Sequence, residues 1–292
     1  MRIFLSSNAP NLETALSEYT STATVEAEYG DRVVEGSVIT LAHHGPRQER
    51  PCPCSLPSLP DLGIEAIGVS HFDLDTLGGV MSIMGKHLPY TCECGYGEFH
   101  NSQLWGEFWQ AAAHVDVNGV HKCEADGVVL RQLQAFWAWS EANRLFPPRD
   151  GSVADVSGFI NDAIDVIDKI LRRDEDLLAS GDEWAAEKSA LAEESFVESF
   201  DGVDLRQSEA FVNHLYGPST RAIVGHNTQT GAITVSVPEP IKGFFCGEFL
   251  KDMFGPEAGG HAGIGGTPRG QQYSLTSAME VAKKLARILC VI

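Results

Sequence analysis

Apolar runs along the chain set the first landmarks. "MRIFLSS" reads as a short strand, and "GIEAIGVS" is a continuous apolar run, as parallel strands covered on both faces display. "TATVEAEYG" and "VVEGSVITLAHH" flank Asp31-Arg32 and read as a hairpin or a pair of strands. Residues 45–63 carry prolines, two cysteines and little periodicity, which predicts a loop. "TLGGVMSIMGKHL" opens a helix directly after the polar "SHFDLD". Strand, polar loop and helix in that order place side chains at the carboxyl edge of an α/β sheet, where ligands bind.

Farther along, "NSQLWGEFWQAAAH" is helical and "VDVNGVH" reads as a loop or strand end. "VVLRQLQAFWAWSEANRLF" is another apolar-striped helix, stopped by Pro147-Pro148. Val156, Phe159, Ile160, Ile164, Ile167, Ile170 and Leu171 recur at helical spacing behind a capping box of Ser152 and Asp155. Trp105, Trp109, Phe136, Trp137 and Trp139 lie on helical patterns and read as core, and the acid-rich run 174–200 as a solvated helix face. "TRAIVGH" and "GAITVSV" predict a hairpin around "NTQT". "CGEFLKDMF" is helical, "GPEAGGHAGIGGTPRG" is a glycine-rich loop, and "SAMEVAKKLARIL" is a last helix capped by Ser277 with Glu280. The expected fold class is α/β. Residues 1–150 form an α/β domain with a mostly parallel sheet, 151–200 a helical connector, and 201–292 a smaller α+β domain.

Length agrees, since 292 residues imply about two domains. Forty acids against 21 bases leave a net charge of −19. Such a surface repels a long nucleic-acid duplex, whose binding depends on neutralising phosphates. The chain shows no basic n-region and no apolar window of about 18 residues, so neither a signal peptide nor a membrane span is expected. The odd number of cysteines, seven, predicts free thiols or a metal site in a bacterial-type cytoplasm. Cys52, Cys54, Cys92 and Cys94 form two C-x-C pairs that could hold a structural Zn²⁺, with unlinked thiols as the alternative. Cys123, Cys246 and Cys290 read as structural.

His71, Asp73 and Asp75 fall at every second position in "SHFDLDTLGG". Where a chain leaves a strand, such O and N donors can converge on Mn²⁺, Mg²⁺, Fe or Zn²⁺. The competing use of Asp73 or Asp75 is to cap the next helix. Gly259, Gly260 and His261 form a second signal, since glycines let backbone N–H groups approach an anion and a histidine can donate to phosphate. A turn explains that loop nearly as well.

Taken together, the two stretches resemble the DHH phosphoesterases. "SHFDLDTLGG" is similar to their H-x-D-x-D-G motif, and "ITVSV…EFLKDMFGPEAGGHAGIGG" to the DHH-associated C-terminal domain, over about 200 of the 292 residues. The resemblance implies a metal-dependent hydrolase. His71, Asp73 and Asp75 would bind metal, most simply Mn²⁺, with Mg²⁺ or Zn²⁺ as alternatives. Gly259, Gly260 and His261 would bind the substrate. The D-H-H triplet is absent, and "HVDVNGVH" offers Asp116, then His121, in its place, with His114 ending a helix. Asp116 as a turn aspartate is the competing reading. His43 and His44 are reserve donors, of which a strand would aim only one at a site. Arg269 stands in for an arginine that often follows the V-S strand. The implied substrate is a dinucleotide, nucleoside bisphosphate or short oligonucleotide. Short polyphosphate and a non-catalytic nucleotide sensor are the alternatives, and a homodimer is left open.

Overall fold

Continuous apolar strands need cover on both faces, and the first part of the chain supplies it. The computed structural model describes all residues except 30–31, 45–46, 48, 87–101, 126, 211, 217–219, 240, 261, 269–270 and 292, and only the backbone of 102–105. Cys92, Cys94, His261, Arg269 and the Trp105 side chain therefore lie outside the described residues. The chain is mixed α/β and divides into two compact units, Met1–Asn118 with Cys123–Trp184, and Gly119–Lys122 with Ala185–Ile292.

The first unit runs β1 (Arg2–Leu5), α1 (Ala9–Leu16), β2 (Thr22–Val25), β3 (Glu28–Tyr29), β4 (Arg32–Val33) and β5 (Ile39–Leu41). It continues with a 3-10 turn (Pro53–Ser55), β6 (Ala66–Val69), α2 (Leu74–Ile83), α3 (Ser102–Asn118), α4 (Gly127–Ala142), β7 (Ala154–Asp155), α5 (Ser157–Leu171) and the first half of α6 (Glu175–Glu194). Its sheet has the order β5-β2-β6-β1-β7, parallel except for β7. Ile3, Leu5, Ile67 and Val69 face one core with Leu77, Phe108, Phe136, Ile160 and Ile167. Phe4 and Ala66 face the other way, onto Leu12 and Leu16 of α1.

Three local expectations are corrected. The stretches around Asp31-Arg32 are not one hairpin: β2 and β5 pair in parallel, and the small β3–β4 hairpin sits in the link between them. "VDVN" continues α3 to Asn118, because its acid and amide do not break the helix before Gly119, whose φ is 90°. Helix α5 begins at Ser157 rather than behind a Ser152–Asp155 box. Asp155 lies in β7 and accepts the Ser157 N–H at 2.9 Å.

The second unit holds β8 (Phe196–Phe200), β9 (Val203–Ser208), β10 (Ala222–Asn227), β11 (Ile233–Ser236), α7 (Cys246–Phe254), β12 (Gly259–Gly260), β13 (Ile264–Gly266) and α8 (Leu275–Leu289). The sheet order is β12-β13-β11-β10-β9-β8, and β10 with β11 is the expected hairpin. Val203, Leu205, Val224, Ile233 and Val235 bury against Leu250, Val281 and Leu285. Ser274, not Ser277, caps α8, its hydroxyl accepting the Ser277 N–H at 3.1 Å. The Gly259-Gly260 loop is corrected to a short strand paired with Gly265 and Gly266. A Cβ on Gly247 would lie 2.6 Å from the Gly260 carbonyl oxygen, so these glycines let α7 touch backbone. No helix among the described residues is long and apolar enough to cross a membrane.

Candidate metal centre

Three parallel strands, β5, β2 and β6, end side by side, with Val25 in register with both Leu41 and Val69. The next residues of each strand are therefore neighbours at the carboxyl edge, as expected for an α/β ligand site. Glu26 follows β2, His43 and His44 follow β5, and Ser70 and His71 follow β6. Glu26 is fully buried, and its φ of 47° is left-handed, a conformation that costs a non-glycine residue roughly 1–2 kcal/mol. Its N–H donates to the Leu41 carbonyl at 2.8 Å, and its carbonyl accepts from the Ser70 hydroxyl.

Helix α2 carries Asp75 in its first turn, buried beside Glu26 and His43. The pair Gly78-Gly79 explains how so deep a position is reached. A Cβ on Gly78 would lie 2.7 Å from Cys54 Cα, and one on Gly79 2.7 Å from Pro53 Cβ and 2.6 Å from a Val25 methyl. Without side chains there, α2 lies directly on the 3-10 turn and on β2. The turn then donates the Cys54 N–H to Asp75 Oδ1 at 2.7 Å and the Cys52 thiol to the same oxygen at 2.8 Å. The other oxygen, Oδ2, lies 3.2 Å from His43 Nε2. Helix α3 brings Asp116 Oδ2 to 3.0 Å from His43 Nε2 and 4.0 Å from His44 Nε2. His44 Nε2 is 3.1 Å from Glu26 Oε2.

His43, Cys52, Asp75 and Asp116 thus present one nitrogen, one sulfur and two carboxylate groups whose ligand atoms lie within 4.8 Å of one another. Glu26, His43 and His44 form a second such group. Close as they are, His43 Nε2, Asp75 Oδ2, Asp116 Oδ2 and both Glu26 carboxylate oxygens are buried and complete no hydrogen bond. Buried polar atoms normally find partners, and atoms that converge without bonding angles are the arrangement a shared cation satisfies. These residues could hold a metal ion.

Without a cation, protons neutralise the cage. Burial pulls His43 down, but Asp116, Asp75 and Cys52 outweigh it and raise its pKa far above the usual range. Pairing with Glu26 raises His44 against its burial. Glu26 itself is pushed up to about 7, chiefly by burial.

The sequence candidates separate here. Asp75 and Asp116 join the buried donors, Asp116 from a helix rather than a turn. His43 and His44, the reserve pair, both reach the site. The alternation rule does not hold for them because β5 stops at Leu41, and their rings lie 4.1 Å apart. His71 and Asp73 pair with each other, Nε2 to Oδ2 at 3.0 Å, and Asp73 Oδ1 caps α2 by accepting the Thr76 N–H at 2.8 Å. Partial burial opposes the His71 charge, yet Asp73 outweighs it and His71 rises to about 9; Asp73, half-buried, falls to about 2 against His71 and Thr76. His114 lies within α3 rather than at its end, and its carbonyl and ring nitrogen face Asn118 Nδ2. His121 belongs to the second unit, where its ring stacks on Tyr216 at 4.3 Å and Nε2 is 3.5 Å from the Pro238 carbonyl. Glu26 was not among the expected site residues, and Cys52 was expected only as a ligand of a structural four-cysteine Zn²⁺ site. The one signal for Glu26 was an acid closing an apolar strand.

A pocket of about 140 Å³ opens beside the donors, lined by Asp73, Asp75 and Asp116 with Ala112, Val115, Phe136 and Trp137 as its apolar wall. Among known proteins, no protein-family model matches the chain and no curated protein does. Solved structures similar to the chain include two at 12% identity. One is an exopolyphosphatase-related protein from Bacteroides fragilis, with a TM-score of 0.42 over 95% of this chain and 75% of that one. The other is an uncharacterized protein from Helicobacter pylori G27, with a TM-score of 0.24 over 97% of this chain and 88% of that one.

Proposed function

We propose that this protein is a metal-dependent hydrolase of small phosphoesters or phosphoanhydrides. The observation that carries the reading is the set of buried donor atoms, His43 Nε2, Asp75 Oδ2 and Asp116 Oδ2, that converge without hydrogen-bonding. His43, Asp75 and Asp116 would hold one divalent cation. Glu26 and His44 form a second donor pair within reach of the same Asp116 oxygen. A bound cation supplies Lewis-acid neutralisation of phosphoryl oxygens and activation of water.

The chain's own groups do the rest. Cys54 N–H fixes the Asp75 carboxylate, so one oxygen is held while the other stays free of hydrogen bonds. His71 hydrogen-bonds Ser70 and Asp73; against its burial, Asp73 chiefly, with Glu26 and Asp116, raises its pKa to about 9, which favours the protonated ring near neutral pH. It offers positive charge to an anionic substrate that the net charge of −19 would otherwise repel. The acidic surface favours a dinucleotide, nucleoside bisphosphate, short oligonucleotide or short polyphosphate over long duplex nucleic acid. By the resemblance alone, Gly259, Gly260, His261 and Arg269 are assigned to substrate binding.

The test is release of phosphate or mononucleotide from a panel of these substrates, with Mn²⁺, Mg²⁺, Zn²⁺ or chelator, beside Asp75→Asn and His43→Asn. Turnover should need metal and fall more than about 100-fold in both variants, because changes one shell farther out already cost roughly 10–100-fold. Metal uptake with no turnover on any substrate would refute hydrolysis and leave a nucleotide-binding protein.

A further inference from the structure

The fourth donor of the cluster is a sulfur. Cys52 Sγ is buried at the carboxyl edge of the sheet, 2.8 Å from Asp75 Oδ1, in the same group as His43 Nε2 and the Asp75 and Asp116 carboxylates. His43 and Asp75 are 5% and 2% exposed, and each aims an unpartnered atom into that group. Cys54 is placed differently. Its backbone N–H holds Asp75, while its thiol lies 3.5 Å from Cys52 Sγ and 4.0 Å from the Trp109 carbonyl, outside the donor group.

We propose that Cys52 binds the metal as a thiolate and makes this a zinc-type centre rather than a manganese or magnesium one. The inference deepens the metal reading above. Mn²⁺ and Mg²⁺ prefer six hard oxygen-rich ligands in octahedral geometry, and a thiolate is a poor partner for either. One nitrogen, one sulfur and two carboxylate oxygens instead make four ligands of the mixed kind that tetrahedral Zn²⁺ accepts. Binding releases the thiol proton that Asp75 Oδ1 now accepts as a hydrogen bond, since the ligand form is the thiolate. This use of Cys52 also differs from the expected four-cysteine clip, whose other pair lies outside the described residues.

The test needs no substrate, so it stands apart from the test of hydrolysis. The full chain is stripped with chelator under reducing conditions and titrated with Co²⁺ alone. Wild type should develop a near-ultraviolet thiolate-to-cobalt charge-transfer band with the strong visible absorption of tetrahedral Co²⁺. Equimolar Zn²⁺ should abolish both, and excess Mn²⁺ should not. Cys54→Ser should keep the charge-transfer band and Cys52→Ser should lose it. Co²⁺ uptake by wild type without that band would overturn the proposal, as would no uptake at all, retention of the band in Cys52→Ser, or displacement by Mn²⁺. Absence of the band in wild type refutes the proposal even if a variant fails to fold, and the Cys52→Ser and Cys54→Ser pair assigns a band that is present.

Discussion

Gly78→Ala is a one-carbon change that tests how the centre is built. The new Cβ would lie 2.7 Å from Cys54 Cα and 2.8 Å from a Trp109 ring carbon, with Cys54 Cβ closer still. Carbon atoms settle at about 3.5–4.0 Å, so the 3-10 turn must retreat by about 1 Å. Overpacking of this kind costs about 1–3 kcal/mol, and the better helix propensity of alanine returns about 1 kcal/mol at most. With the full propensity gain, the net expectation is a loss of about 0–2 kcal/mol in the metal-free protein. The same retreat stretches the Cys54 N–H to Asp75 bond from 2.7 Å to about 3.7 Å, beyond hydrogen-bond range, and carries Cys52 with it. Metal affinity should therefore fall together with stability. Urea unfolding with and without Zn²⁺, alongside Co²⁺ titration, measures both. Gly158→Ala is the control, since its Cβ meets nothing within 4 Å at an exposed position of α5, and it should leave metal binding unchanged and gain at most about 1 kcal/mol of helix propensity. A Gly78→Ala protein as stable as wild type with unaltered Co²⁺ binding would refute the close-packing argument.

Two further outcomes are expected. In chelated protein, Glu26 rises from 4.5 to about 7 and His71 from 6.5 to about 9 in the folded state, so folding takes up protons and stability falls as pH rises across each of these intervals. For the fully buried Glu26 the loss has a ceiling of about 3 kcal/mol, with the opposing pairing to His44 already contained in that pKa. Zn²⁺ should reverse the slope, because its ligands bind deprotonated. Parallel melting-temperature profiles with and without Zn²⁺, or no flattening between about pH 5 and 7 in chelated Glu26→Gln, would contradict this. Asp73→Ala should cost about 1 kcal/mol through loss of the α2 cap while Co²⁺ uptake persists, which separates a cap and His71 partner from a metal ligand. Loss of Co²⁺ binding in folded Asp73→Ala would make it a ligand.

How much of this was legible in the sequence depended on the distance over which each feature is decided. The apolar run at β6, the stripe of α5 and the β10–β11 hairpin each bury or pair locally, so residue spacing alone revealed them. Cap positions were less legible, because Ser152, Asp155 and Ser277 fit the local pattern while the helix start is set by where the preceding strand or loop ends. "HFDLD" announced chemistry but not its division of labour. Asp73 faces the helix end and His71, whereas Asp75, two residues on, lies beneath α2 among buried donors.

By itself, the sequence determined which residues are apolar enough to form the parallel strands, that polar groups follow them, and that glycines occupy positions 78 and 79. Only the tertiary structure decided which strand ends are neighbours. The order β5-β2-β6 brings Glu26 and the His43–His44 pair to Asp75 across separations of 31 to 49 residues in the chain. The Gly78 contact brings Cys52, and α3 brings Asp116. A ligand set is a coincidence of atoms from several elements, and its geometry exists only once the sheet order and helix packing have placed them.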